Sequence, residues 1–227
     1  MPDTLRGFIS YSTTDRHRAS TVKEHLAGLG VECFMAHDDL GVSDEWKKRI
    51  VEELQRMDVF VALFSQAFKA SDWASQELGF AVARPEVAII PLSLDDTVPY
   101  GFIGDLQSKR LVEPLSDGLF LGPLHRRYPR QVTAALIRRM AGASSYRGAE
   151  ALMEPLRAFY KDFTPVEVDL FVDACISNGQ IWDAALCAAE YLPEFIALHR
   201  TRIRAARLHV LEYQIRERKR YVLPDET

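Results

Sequence analysis

Cysteine is scarce in this chain. Cys33, Cys175 and Cys187 are an odd, scattered set with neither CxxC nor Cys/His ligand spacing. The pattern supports neither a disulfide framework nor a zinc site, and the thiols are expected to be reduced and mostly buried. The six histidines are equally dispersed and form no HExxH, so metal catalysis has no visible centre. His37 stands apart only because it falls in a predicted loop. Long apolar runs are missing too. No stretch approaches the roughly 20 apolar residues needed to cross a bilayer, and the first residues lack the apolar core of a secretory signal. The expectation is a cytoplasmic protein with no membrane partner. Nor is there an excess of positive charge, because 28 Lys and Arg against 32 Asp and Glu leave a formal charge of -4. A general nucleic-acid binder needs a basic surface to neutralise phosphate, so no direct nucleic-acid partner is expected. Basic residues do gather late, in His199 to Arg204 and Arg216 to Arg220. Those runs read as solvated helix faces or as contacts for phosphate or an acidic partner.

What is abundant is apolar. Hydrophobic residues make up 48% of the 227, enough to bury a full core in one large domain or in one domain plus a small appendage. Gly7 to Tyr11 is a short apolar run that opens into polar Ser12-Thr13-Thr14-Asp15, the pattern of a buried strand ending in a loop or helix cap. Ala19, Val22, Leu26 and Leu29 then repeat at helical spacing, and Gly30 is placed to stop that helix. Val31 to Met35 reads as a second strand, and Ala36 to Asp44 as a loop at its end, closed by Ser43 or Asp44 as N-cap. Trp46, Ile50, Val51, Leu54 and Met57 trace one helix face, and Val59 to Phe64 is a continuous apolar strand of the kind buried on both sides. Val87 to Leu94 supplies a fourth strand, and Arg110 to Pro114 is a candidate for a last short one.

Strands alternating with helices imply right-handed crossovers and a parallel sheet covered on both faces. Ligands of such sheets bind beyond the carboxyl ends of the strands. That rule gathers Ser10 to Ser12, the Ala36 to Asp44 loop and the segment before Trp73 along one edge. Gln131 to Met140 reads as a helix, and Ala141-Gly142-Ala143-Ser144-Ser145 is the best linker, dividing the chain into residues 1–142 and an all-helical region, 146–227. There Thr164-Pro165-Val166-Glu167 has the form of a capping box with proline in the first turn. Asn178-Gly179 closes that helix, and a further one from about Ile181 to Tyr191 is expected to lead through Pro193 into a long charged terminal helix.

The segment Ser71 to Phe80 carries the most chemistry. Ala74, Leu78, Ala81 and Val82 fall at apolar helical spacing after Ser71 or Asp72 as N-cap, and Trp73 and Glu77, four apart, share a face beside that stripe. A carboxylate at the edge of a core, under an aromatic wall, is a candidate for electrostatic chemistry because desolvation tunes its charge. The plainer reading of Glu77 is a solvated or salt-bridged surface side chain.

Taken together, the strand Phe8-Ile9-Ser10-Tyr11-Ser12, the loop with Asp39 and Gly41 leading to Trp46, the strand Val59 to Ser65 and the Trp73-x-x-x-Glu77 helix resemble a Toll/interleukin-1 receptor (TIR) domain. The resemblance covers about residues 5 to 140. Ile89-Ile90-Pro91-Leu92 followed by Tyr100-Gly101-Phe102-Ile103 is similar to bacterial members. It implies a flavodoxin-like α/β fold, a parallel sheet flanked by helices, with the helical C-terminal region as an addition. Members divide into adaptors that act by assembly and enzymes that cleave the nicotinamide glycosidic bond of NAD+. In the enzymes the resemblance makes Glu77 the catalytic residue, sets Ser10, Tyr11 and Ser12 near the ribose and phosphates, and matches Trp46 to an aromatic position in or after the flexible BB loop. Trp46 then stacks on a base or anchors its helix in the core, and Trp73 is ligand wall or packing. No arginine follows Tyr11 as in some animal enzymes, and Gly41 sits a little earlier than the glycine usual before this helix.

The function implied is NAD+ glycohydrolase or ADP-ribosyl cyclase, giving nicotinamide with ADP-ribose or a cyclic isomer, in bacterial antiviral defence signalling. NAD+ is the substrate, no cofactor or metal is required, and self-association through the TIR domain is expected, with a downstream effector or sensor as a further partner. The alternative is a non-enzymatic scaffold or host-signalling mimic working through TIR–TIR assembly. A nucleoside deoxyribosyltransferase-like enzyme shares the sheet and a catalytic carboxylate, but the tryptophan spacing and the Phe8 to Ser12 strand favour TIR. The helical region is a sensing, dimerisation or partner-binding module, or a stabilising extension.

Overall fold

The computed structural model describes residues 4–35, 44–101, 104, 105 and 107–222, apart from the side chains at 44 and 218–222. The segment Ala36 to Ser43, with His37, Asp39 and Gly41, lies outside the described residues, as do Phe102 and Ile103. The chain divides into two compact units, Met1–Val132 and Thr133–Thr227.

The first unit is built on five parallel strands, β1 (Leu5–Ser10), β2 (Val31–Met35), β3 (Val59–Phe64), β4 (Ala88–Ser93) and β5 (Lys109–Arg110), in the order β2-β1-β3-β4-β5. Every residue of β3, Val-Phe-Val-Ala-Leu-Phe, is buried, as an apolar run between two helical layers requires. The expected last strand is shorter and earlier than Arg110 to Pro114. After Arg110 only the Leu111 amide continues the ladder, donating to Ser93 O, while Val112 is exposed and Pro114 has no amide to donate.

The helices are α1 (Arg16–Ala27), α2 (Asp44–Arg56), the single turn α3 (Gln66–Lys69), α4 (Asp72–Val82), α5 (Leu121–Arg127) and the start of α6 (Pro129–Ala141). Because the chain steps from β1 out to β2 and then back across to β3 and β4, right-handed crossovers put α1 on one face and α2 and α4 on the other. On that second face Phe8, Phe60, Ala62 and Phe64 pack with Trp46, Ile50 and Leu54 of α2 and with Ala74, Leu78 and Ala81 of α4. Gly30, with φ at +80°, turns the end of α1 into β2, a left-handed conformation that glycine adopts without cost. Gly7 answers a different need. It pairs with Cys33 across the β1–β2 ladder, and a Cβ there would lie 2.5 Å from Cys33 Sγ and 2.9 Å from Val31 Cγ1.

The second unit is helical: the rest of α6, then α7 (Tyr146–Arg157), α8 (Pro165–Ser177), the turn α9 (Gly179–Trp182), α10 (Leu192–His199) and α11 (Ala205–Val222). The Thr164 capping box forms as its sequence predicts, with Glu167 bonding back to the Thr164 amide at 2.6 Å. Aromatic rings fill the core, where Phe171 and Phe195 meet at 4.1 Å and Tyr160 and Phe163 close around them. The expected Ile181 to Tyr191 helix is instead the turn α9 and a π-helical segment, Cys187–Tyr191, that runs directly into α10. Pro193 does not end it, because in the first turn of α10 its missing amide is no loss. The break comes after His199, whose carbonyl accepts from both Arg202 and Ile203 amides. The basic run His199 to Arg204 is therefore a corner between helices. His199 is buried against the Tyr160 carbonyl at 2.7 Å, and Arg200 and Arg204 pair with Glu212 and Asp169.

Candidate functional site

Ser10 is the last residue of β1 and stands opposite Ala62 of β3, at the place where strand order reverses from β1 outward in both directions. Open α/β sheets bind ligands at such a switch point. Strand alternation gives Ser10 the same face as Phe8, the face covered by α2 and α4. It is a fully buried hydroxyl in a strand whose other buried residues are apolar, and it needs a partner.

That partner comes from α4. Ser71 caps the helix, its side chain accepting from the Ala74 amide. The buried stripe of α4 is Ala74, Glu77, Leu78 and Ala81, so Glu77 lies within the stripe rather than beside it. Only 3% of Glu77 is exposed, and Ser10 Oγ donates to its Oε2 at 2.5 Å. Oε1 is buried with no hydrogen-bond partner among the described residues. An unsatisfied buried acceptor costs on the order of 1–3 kcal/mol. Burial pushes the Glu77 carboxyl up to about 7, with the Ser10 hydrogen bond pulling in the opposite direction. The solvated or salt-bridged reading of Glu77 does not hold.

The two tryptophans are brought together, one turn of α4 from the acid. Trp46 is 7% exposed and belongs to the core of that face, while Trp73 is 40% exposed. Their rings meet edge to face at 5.7 Å. The remaining sequence-predicted residues follow Ser10 in the chain. Tyr11 is in the core, 1% exposed, and Ser12 Oγ lies 3.1 Å from Thr14 Oγ1 at the head of the loop after β1.

Sequence reasoning placed Ser10 near a ligand without finding its bond to Glu77. The available signal was a lone serine two residues beyond Phe8 in an apolar strand. It also missed how the loops of this edge are tied. Ser65 Oγ donates to Asp15 Oδ2 at 2.7 Å while accepting from the Phe68 amide, which links the turn after β1 to the cap of α3. Asp95, beyond β4, accepts from the Gln66 and Thr97 amides at 3.0 and 2.7 Å. Hydrogen bonds from Thr97 and the Gln66 amide hold the Asp95 carboxyl below its ordinary value. Arg18 Nη1 donates to Leu94 O at 3.1 Å. Among the described residues no group of three His, Cys, Asp or Glu side chains is arranged to hold a metal ion, and no helix is long and apolar enough to cross a membrane.

A parallel sheet in the order 2-1-3-4-5 with a buried acid reaching its β1/β3 edge is a doubly wound α/β domain of flavodoxin-like form. The family model of the TIR domain matches residues 8–118, and over that region the chain belongs to the TIR family. Comparison with curated proteins finds no match.

Proposed function

We propose that this TIR-domain protein cleaves the nicotinamide–ribose bond of NAD+, with Glu77 as the catalytic carboxylate. The observation that carries the reading is the buried Glu77 itself. One of its oxygens is held by Ser10 and the other has no partner among the described residues, at the strand-order switch of the sheet. TIR adaptors that act through surfaces alone have no use for such a group, which lowers stability where it stands.

The chemistry asks little of the protein. As the C1′–N bond breaks, its electron pair leaves with nicotinamide, which departs as a neutral ring from a cationic pyridinium. The ribose acquires oxocarbenium character, as in glycoside cleavage. Ionised Glu77, oriented by Ser10, stabilises that cation and holds the ribose hydroxyls. Water then adds to C1′ and loses a proton to give ADP-ribose, or a nucleophile of the same molecule closes a cyclic isomer. Trp73, half exposed beside the acid, serves as the wall for a planar ring, with Trp46 fixing its orientation from the core. TIR domains commonly self-associate, so activity is expected to rise more steeply than linearly with protein concentration. The biological setting we assign is antiviral defence, through NAD+ depletion or a nucleotide signal.

The test is incubation of concentrated protein with NAD+ beside the Glu77→Ala variant, following nicotinamide, ADP-ribose and cyclic products by chromatography. Nicotinamide release that depends on Glu77 supports the enzyme, and the co-product says whether it depletes or signals. A folded wild-type protein that releases none, even when crosslinked into assemblies, returns the chain to the scaffold reading.

A further inference from the structure

Outside the TIR domain, α10 and α11 leave a groove of about 490 Å³ within the helical unit. That volume lies in the range of small-molecule sites. Its walls are two helical stripes at i, i+3, i+4 spacing: Pro193, Ile196 and Ala197 from α10, and Ile215 with its neighbours from α11. The floor is thus aliphatic.

Three charged side chains stand over that floor, Arg200, Glu212 and Arg216. Arg200 Nη1 and Glu212 Oε1 pair at 2.6 Å, tying the end of α10 to α11 and cancelling each other's charge. Arg216, one helical turn further along, has no ion-pair or hydrogen-bond partner among the described residues. Over an aliphatic floor this leaves one guanidinium uncompensated. Arg204 and Arg207, by contrast, are matched by Asp169, and Arg207 also by Asp173.

We propose that the groove binds a small organic monoanion, an apolar body with one carboxylate or sulfonate, the body seated on Ile196 and Ile215 and the anion on Arg216. A neutral apolar molecule would leave Arg216 unmatched, and a dianion would meet Glu212. Guanidinium groups bind such oxyanions through two parallel N–H donors, which fixes the orientation of the ligand as well as its charge.

The experiment uses the full chain and the fluorescent probe 8-anilinonaphthalene-1-sulfonate, an aromatic body with a single sulfonate. Expected are saturable binding at one site per chain and displacement by octanoate but not by octanol. Arg216→Gln, an exposed change that leaves the fold intact by circular dichroism, should weaken the probe by about tenfold or more, the loss of a charge-assisted contact. Ala197→Trp, which fills the groove from an exposed position, should abolish binding. Equal competition by octanol, or a probe affinity that neither substitution moves, overturns the proposal.

Discussion

Replacing Glu77 by glutamine should change catalysis and stability in opposite directions. Loss of a preorganised charge at the reacting centre is expected to slow nicotinamide release on the order of a hundredfold or more. The same change should strengthen the fold. The folded carboxyl holds its proton up to about 7 against an ordinary 4.5, so between those values the native state binds more protons than the unfolded one. Stability is therefore fully present below the lower value and is lost as pH rises through the upper, a penalty of about 3 kcal/mol above neutrality. Urea denaturation should show Glu77→Gln more stable than wild type at pH 8 and close to it at pH 4.5; equal gains at both values would contradict the burial argument. If the reactive form is the carboxylate, as proposed, kcat/KM should rise with pH to a plateau, with its midpoint near 7 in the free protein. Ser10→Ala removes the bond that stabilises the ionised form, and should move that midpoint upward as well as slow the reaction. That Trp73 and Glu77 lie one turn apart on one helix was readable from spacing alone. The depth of Glu77 was not, because spacing says which residues share a face and cannot say how closely β1 approaches it.

At the level of elements, Gly7 sets how closely β1 and β2 lie. Gly7→Ala would drive a methyl against Cys33 Sγ and Val31 Cγ1, and overpacking of this kind costs roughly 1–3 kcal/mol. Gly7→Ala in a Cys33→Ala background should recover part of that loss, as measured by the denaturation midpoints of the two variants. Hydrophobic periodicity located β1 to β4 and most of α1, α2 and α4, since buried strands and one-sided helices write their period into the sequence, while α8 was read from its capping signals. It failed for β5, where two exposed residues, Lys109 and Arg110, form the edge strand without any apolar signature. It failed again around Pro193, whose effect depends on its place within a helix turn, and around the π-helical Cys187–Tyr191, which has no pattern of its own.

For the whole molecule, the cysteines report on integrity. Burial raises the Cys33 thiol to about 12 and the Cys175 thiol well above its ordinary value, and none of the three cysteines is in a disulfide. Native protein treated with iodoacetamide at pH 8 should leave Cys33 and Cys175 unmodified by mass spectrometry, with labelling only after denaturation. Rapid labelling of either would mean that its unit opens readily. The family match stops at residue 118 and the helical unit begins at Thr133. That unit was legible as helical, but its groove depends on which faces of α10 and α11 meet, information that no local pattern contains. Ser10 and Glu77 are separated by 67 positions along the chain, and the buried, serine-held acid exists only once the two have met. A growing polypeptide released from the ribosome therefore carries a harmless serine until α4 has been made and has docked over β1. On the proposed reading, in which the protein consumes NAD+, this delay is a safeguard: a chain in which α4 has not docked over β1 lacks the buried acid on which activity depends.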